Sequence, residues 1–317
     1  MNWIATVYTP ANRFQRTALW TLAITFFLIF VGGLVRAAGA GLGCPDWPRC
    51  FGLWIPPIRP ESLPPPYDPA EFNAIKTWLE YVNRLVGVAV GLFIVATFVG
   101  ACRFVRSDRT VFGGATAALV LVLYQGWLGG QVVQSGLEGW MISLHMVVAL
   151  LILNVLLFTA YRSQRDRLRV SFPAAIRRKA LYVISGLVVI SFVQIVLGSQ
   201  IREALTHISS TYPELARGEW IEEVGLLDMI HRSYSWLVLG GAIWFYRIVK
   251  PLEQAHAVKD LARLNNSVIV VQILMGAGLA YLGLPPVLQI FHLLLAALMI
   301  SVQFLALLML AHAKVAS

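Results

Sequence analysis

Three histidines lie within long apolar segments of this chain, where an ionisable side chain is costly and usually functional. His145, His231 and His292 each fall within about two helical turns of one edge of their segment, so we expect them at the same depth. Neutral imidazole is an iron ligand, and helical bundles hold haem between facing helices. Each histidine can instead hydrogen-bond to a neighbouring helix. Because the positions match, the sequence favours haem binding.

The two halves of the chain repeat one spacing of polar residues. Leu79–Arg84 and Leu227–Arg232 both read L-[DE]-x-x-[NH]-R, and His145 recurs as His292. The same register pairs Gln125 with Gln272 and Gly129 with Gly276. Gly32 and Arg36 in the first segment likewise match Gly198 and Arg202 in the fifth. We therefore predict an all-α membrane protein built as two tandem four-helix bundles, 1–165 and 166–317, related by a pseudo-two-fold axis along the membrane normal.

This repeat predicts two iron sites that differ. His231 and His292 form a complete pair in the second half, whereas Asn83 stands opposite His145 in the first. A closed iron with two imidazoles suits electron transfer, and a weak or vacant sixth position suits chemistry. Four arginines near the same edge can pair with haem propionates, or can equally be helix-end charges that reach the interface: Arg36, Arg84, Arg202 and Arg232.

A pair of cysteines follows the first apolar segment, in the predicted outer loop 37–79. Cys44 and Cys50 flank a proline-containing stretch outside the membrane, where disulfides persist. Reversible thiol chemistry is the alternative, and a metal pair is disfavoured because no histidine or third cysteine is near. Asp68 and Pro69 predict a helix that begins there and carries Glu80 on the face of Asn83. Glu80 can act as an acid or base, or be a solvated helix-start carboxylate.

Composition excludes a soluble enzyme, because 58% of the residues are hydrophobic, only 13% are charged and the mean hydropathy is +0.72. Apolar runs of about 20 residues predict eight transmembrane helices, the first of them retained rather than cleaved as a signal peptide. The runs are Thr17–Val35, Leu85–Cys102, Thr110–Leu137, Gly139–Tyr161, Ala180–Ile201, Met229–Tyr246 and Leu264–Ala313, the last divided into two helices at Gly283–Pro286.

The net charge of +9 predicts orientation rather than nucleic-acid binding, since the charges are sparse and interrupted by apolar runs. Most of the 25 basic residues fall on the side that holds both termini, and they are densest between Arg162 and Lys179. The positive-inside rule makes that side cytoplasmic. We therefore expect a multi-pass protein of a cell inner membrane, or of the mitochondrial inner membrane in a eukaryote, with both termini cytoplasmic.

Taken together, these residues resemble the haem A synthase family over nearly the whole chain. The resemblance rests on the two four-helix repeats, the outer cysteine pair, Glu80 with Arg84, and the three histidines. It implies an oxidoreductase that converts the C8 methyl of haem O to the formyl group of haem A, through hydroxylated intermediates, for cytochrome oxidase. The chain departs from the family pattern at Asn83, where many members have a fourth histidine.

The resemblance also implies roles for individual residues. It implies a haem b cofactor held by His231 and His292 in 166–317, and a substrate side in 1–165. Cys44, Cys50 and Glu80 are implied in the reaction. The partners implied are haem O, a haem O synthase (farnesyltransferase), an unidentified electron partner and membrane lipid, with no nucleic acid and with homo-oligomerisation left open. The alternatives are a bis-His cytochrome b that only passes electrons, and a transporter.

Overall fold

The computed structural model describes residues 12–168, 170–252 and 255–316. Within these ranges the chain is almost entirely helical, and eight helices have 24 residues or more. They are α1 (Arg13–Ala37), α2 (Ala74–Ala101), α3 (Arg109–Gln134), α4 (Gly139–Arg162), α5 (Ala174–Thr211), α6 (Leu226–Val249), α7 (His256–Tyr281) and α8 (Pro286–Ala311). Shorter elements are the 3₁₀ turns Pro60–Ser62, Pro69–Glu71 and Cys102–Phe104, the helix Trp220–Val224, and the strands β1 (Ser171–Pro173) and β2 (Lys314–Ala316), which pair in parallel.

Seven of these helices are long and apolar enough to cross a membrane, and the chain is an integral membrane protein. They are α1 to α5, α7 and α8. The other long helix, α6, has 24 residues but carries Asp228, Arg232 and Arg247. It is not among the helices that are both long and apolar enough, so an eighth membrane span stays a prediction. Large apolar side chains such as Trp20, Leu92 and Leu123 are exposed on the spans, as expected for residues in contact with lipid.

The prediction of a helix from Asp68 is confirmed only for its first turn, and its continuation toward α2 is wrong. The Asp68 carboxylate does accept from Ala70 N at 2.8 Å, but it caps only the turn Pro69–Glu71. Helix α2 begins at Ala74, where Asn73 is a second N-cap whose side chain accepts from Lys76 N at 3.0 Å. Two caps five residues apart therefore divide what the sequence pattern predicts as one helix.

Helix α5 is longer than the apolar run that predicts it. The prediction ends at Ile201, where the charges of Arg202 and Glu203 begin, but the helix continues to Thr211. Charge limits membrane burial but does not terminate a helix, and the residues from 199 to 211 include no glycine or proline. The helix ends just before Pro213, which disfavours the helical conformation of the residue preceding it. His207 lies in this extension and is helical.

The contacts within the chain form two compact units. The first, called the N-unit, holds residues 17–156 and 289–294, and the second, called the C-unit, holds the described residues of 1–16, 157–288 and 295–317. In the N-unit α2 packs on α3, and in the C-unit α6 packs on both α5 and α7. The functional division into 1–165 and 166–317 stays a prediction.

Candidate active site

The cysteine loop, residues 40–53, folds onto the first turns of α2. Cys44 and Cys50 form a disulfide with Cα atoms 4.8 Å apart, which confirms the predicted pairing. Both cysteines are buried, with 0% and 1% exposure. The disulfide and Phe51 form a small apolar core, against which lie Leu63, Tyr67, Phe72 and Tyr81. The outer segment is thus a packed structure rather than a loose connection.

Glu80 lies beneath this loop and binds it directly. One carboxylate oxygen, Oε2, accepts a hydrogen bond from Cys44 N at 2.8 Å. The other, Oε1, lies 2.5 Å from Nη2 of Arg84, one turn further along α2. Glu80 is only 4% exposed, so it is not a solvated helix-start carboxylate. The geometry instead joins the carboxylate to the backbone of a disulfide cysteine.

Arg84 completes the attachment of the loop to α2. Its Nη1 donates to the carbonyl oxygens of Asp46 at 2.8 Å and Arg49 at 2.7 Å, and Nη2 lies 3.4 Å from that of Cys44. The Asp46 carboxylate in turn accepts from the backbone N–H groups of residues 51 and 52. Hydrogen bonds to charged groups are about twice as strong as neutral ones. The guanidinium of Arg84 is therefore used to hold the loop.

His145 lies on α4, in the helical hairpin of α3 and α4. Gln125 on α3 donates from Nε2 to the carbonyl oxygen of His145 at 2.9 Å. A Cβ atom added at Gly129, one turn further on, would lie 3.3 Å from Cε1 of the imidazole. The Nδ1 atom of His145 is buried and makes no hydrogen bond within the described residues.

His231 has the same surroundings in the hairpin of α5 and α6. Gln194 on α5 donates from Nε2 to the carbonyl oxygen of His231 at 3.0 Å. A Cβ atom added at Gly198 would lie 3.1 Å from Cε1 of the ring. The Nδ1 atom of His231 is also buried without a hydrogen bond from any described residue. The same amide nitrogen of Gln194 lies 3.5 Å from Nε2 of the ring. A buried imidazole with one ring nitrogen left without a hydrogen bond fits the ligand set of a haem iron.

Asn83 occupies the corresponding place in the hairpin of α1 and α2. A Cβ atom added at Gly32 would lie 3.8 Å from Oδ1 of Asn83, which is buried and makes no hydrogen bond to the described residues. Asn83 therefore faces α1 in the same way that His231 faces α5 in the C-unit. Its amide is a poor iron ligand, so this position differs chemically from the others.

The remaining predicted residues lie on separate helices. His292 is on the first turns of α8, which group with the N-unit, and haem b ligation by His231 with His292 stays a prediction. Arg36 is in the last turn of α1, and Arg202 lies inside α5. Arg232 pairs with Asp228, with Nη2 and Oδ2 2.5 Å apart, and 42% of its side chain is exposed. A role of these arginines toward propionates also stays a prediction.

Comparison with known proteins identifies the family of this chain. A family model described as cytochrome oxidase assembly protein, COX15-CtaA, matches residues 15–304. The chain belongs to the COX15-CtaA family. Among its curated relatives, the heme A synthase of Shewanella oneidensis is 26% identical over 231 residues, which cover 69% of this chain and 68% of the relative. That of Shouchella clausii is 24% identical and covers 90% of this chain and 93% of the relative. That of Nitrosomonas eutropha is 25% identical and covers 83% of both.

In this COX15-CtaA chain the structure brings four predicted residues into one cluster: Cys44, Cys50, Glu80 and Arg84. Sequence reasoning missed the backbone approach of Gly43 to α2 and assigned no role to Gln194. The signal for Gln194 is present in the sequence, because Gln194 precedes Gly198 by four residues, as Gln125 precedes Gly129.

The burial of the disulfide predicts that reductants reach it slowly. In native protein in detergent micelles, N-ethylmaleimide should label the exposed Cys102 at once, whereas dithiothreitol should release the thiols of Cys44 and Cys50 only as the protein unfolds. Mass spectrometry of the labelled chain counts the thiols. Reduction should lower the free energy of unfolding by about 2 kcal/mol, the value for a short closed loop. Rapid labelling of all three cysteines in the native state would instead support reversible thiol chemistry.

Proposed function

We propose that this chain is a haem A synthase, which oxidises the C8 methyl of haem O to the formyl group of haem A. The observation that carries this proposal is the set of residues that the N-unit contains. It holds the disulfide of Cys44 and Cys50, the buried Glu80 attached to it, and His145 with a free ring nitrogen. These are the residues that the family resemblance links to the reaction, and the curated relatives carry the same function in their names.

Haem O is the proposed substrate, and the N-unit is its proposed binding side. His145 would be a ligand of the haem O iron, and Asn83, whose amide is a poor ligand, would bind it weakly or not at all. The apolar surfaces of the spans suit the porphyrin ring and its farnesyl tail, since both bury best away from water. In this proposal haem O would be held by one histidine, whereas haem b would be held by two.

The chain's own groups organise the outer part of the site. Arg84 and Cys44 N–H both donate to the Glu80 carboxylate, so its two oxygens are fixed in position and shielded from water. A fixed carboxylate of this kind can accept a proton from a reacting group or steer it outward. Cys44 and Cys50 contribute by closing the loop that delivers this N–H.

The second part of the proposal concerns a haem b cofactor. His231 would be one ligand, with His292 as the second, as predicted from the sequence. When bound, a haem iron of this kind supplies one-electron transfer. The chain holds His231 through Gln194 and leaves its Nδ1 without a hydrogen bond from the described residues, which supports the assignment. The electrons would leave to a partner that the sequence does not identify.

The topology is part of the proposal. Eight spans, with α6 as the eighth, would form two tandem four-helix bundles that place both termini in the cytoplasm and the cysteine loop outside. The function also requires a haem O synthase as the source of substrate, because haem O must be made before it is oxidised.

Co-expression with a haem O supply tests the function, with chromatography of the extracted haems as the readout. The wild type should form haem A, and His145→Ala should reduce it about 100-fold or more, since the loss of an outer-sphere partner alone costs about 10- to 100-fold. A reduced-minus-oxidised spectrum of purified protein should show haem b in both. No haem A or hydroxylated intermediate from a haem-loaded wild type would contradict the proposal and support an electron-transfer cytochrome. A wild type without haem would support a transporter.

A further inference from the structure

Two hairpins in different units give their histidines the same neighbours. Gln125 of α3 bonds the carbonyl oxygen of His145, and Gln194 of α5 bonds that of His231. The tandem repeat does not explain this likeness, because it pairs α3 with α7 and α5 with α1. The same arrangement therefore arises at two positions that the repeat does not relate, which indicates a common requirement of the histidines.

The glutamine amide fixes the backbone that carries the imidazole. A carbonyl oxygen inside a helix has two lone pairs, and the helical N–H uses only one of them. An amide in apolar surroundings is stabilised when it finds such an acceptor on a neighbouring helix. These hydrogen bonds, at 2.9 Å and 3.0 Å, fix the position of α4 along α3 and of α6 along α5 at the residue that bears the imidazole ring.

The glycine one turn after each glutamine lies against the imidazole ring itself. The added Cβ atom would lie 3.3 Å from Cε1 of His145 at Gly129, and 3.1 Å from Cε1 of His231 at Gly198. The helix surface therefore lies directly against one edge of each imidazole, so a larger residue would press on the ring. With the backbone held by the amide and one ring edge held by the helix, the direction of the free ring nitrogen is set.

We propose that Gln125 and Gln194 are positioning residues, each of which orients the histidine of its hairpin toward a haem iron. This inference rests on the proposed function, in which His145 and His231 are axial ligands. Outer-sphere contacts of this kind orient metal-bound histidines in general. The hairpin of α1 and α2 supports the link, because it has leucine at position 28, where α5 has Gln194, and asparagine at position 83. This hairpin therefore lacks both the histidine and the glutamine.

Methionine substitution tests the proposal, since Met has nearly the shape of Gln but no N–H donor. In purified full-length protein, Gln194→Met should retain its helices but change the low-spin electron paramagnetic resonance signal of haem b. It should also release haem to apomyoglobin about tenfold faster, the lower end of the range for outer-sphere partners. Gln125→Met should weaken haem O binding in a spectral titration by a similar factor. Gln134→Met on the same helix is the matched control, because Gln134 is exposed and its side chain accepts a hydrogen bond from Gln131.

A second variant keeps the test decisive if Gln194→Met fails to fold. Gly198→Ala leaves the amide bond in place but presses on the ring of His231, so it should shift the same resonance signal. Wild-type spectra and release rates in Gln194→Met, or an unchanged resonance in Gly198→Ala, would overturn the inference while leaving the proposed function intact. A wild type that binds no haem would contradict the proposed function instead.

Discussion

Replacement of Gly43 by alanine should separate the cysteine loop from α2. The added Cβ atom would clash with the carbonyl oxygen of Lys76 and lie 2.8 Å from Thr77 N, and both are backbone atoms that no side-chain rotation can move. Relief requires the loop to lift, which lengthens two hydrogen bonds now at 2.8 Å. These run from Thr77 Oγ1 to the carbonyl oxygen of Gly43 and from Cys44 N to Glu80.

The expected cost of Gly43→Ala is large for one methyl group. Overpacking costs about 1–3 kcal/mol, and each lost hydrogen bond adds roughly 1 kcal/mol. We therefore expect a lower melting temperature in micelles, faster reduction of the disulfide and a strong loss of haem A. Gly91→Ala in the middle of α2 is the control, because nothing lies within 4 Å of its added Cβ atom and alanine favours the helix. Equal melting temperatures and reduction rates for the two variants would contradict the close approach of the loop to α2.

Replacement of Glu80 by glutamine should have the second large effect. Glutamine keeps the shape of the side chain but removes the charge that pairs with Arg84, whose side chain is only 15% exposed. It also turns an N–H group toward either Cys44 N–H or the guanidinium, and both of these are donors. Removal of one partner of a buried ion pair costs about 3–5 kcal/mol.

The repeat supplies a matched control for this pair. Asp228 and Arg232 have the same four-residue spacing, but their side chains are 14% and 42% exposed, so Asp228→Asn should cost at most about 1 kcal/mol. Unfolding in denaturant measures both variants. A double variant, Glu80→Gln with Arg84→Met, leaves no unpaired charge but also loses the hydrogen bonds of Arg84 to the loop, so it should recover only part of the lost stability. If its haem A formation also recovers, Glu80 acts only in structure and not in the reaction.

The sequence predicts the contacts of the cysteine loop where neighbours in the chain carry the information. The four-residue spacing of Glu80 and Arg84 puts them on one helix face, and the short stretch between Cys44 and Cys50 makes their pairing accessible. The start of α2 was missed because Asp68 and Asn73 both have the chemistry of an N-cap. Which of them begins the long helix depends on the packing of the segment between them.

The amino-acid sequence was sufficient to predict the membrane class, seven of the spans and the cysteine pair. Apolar runs and residue spacing are local properties, and the absence of water in lipid makes them decisive. Only the tertiary structure decided that Glu80 binds Cys44 N–H, that Arg84 holds the loop, and that Gln194 bonds the carbonyl oxygen of His231. These contacts join residues that are 36 to 38 positions apart in the chain. Their partners depend on how the helices and the loop pack, which local spacing does not encode.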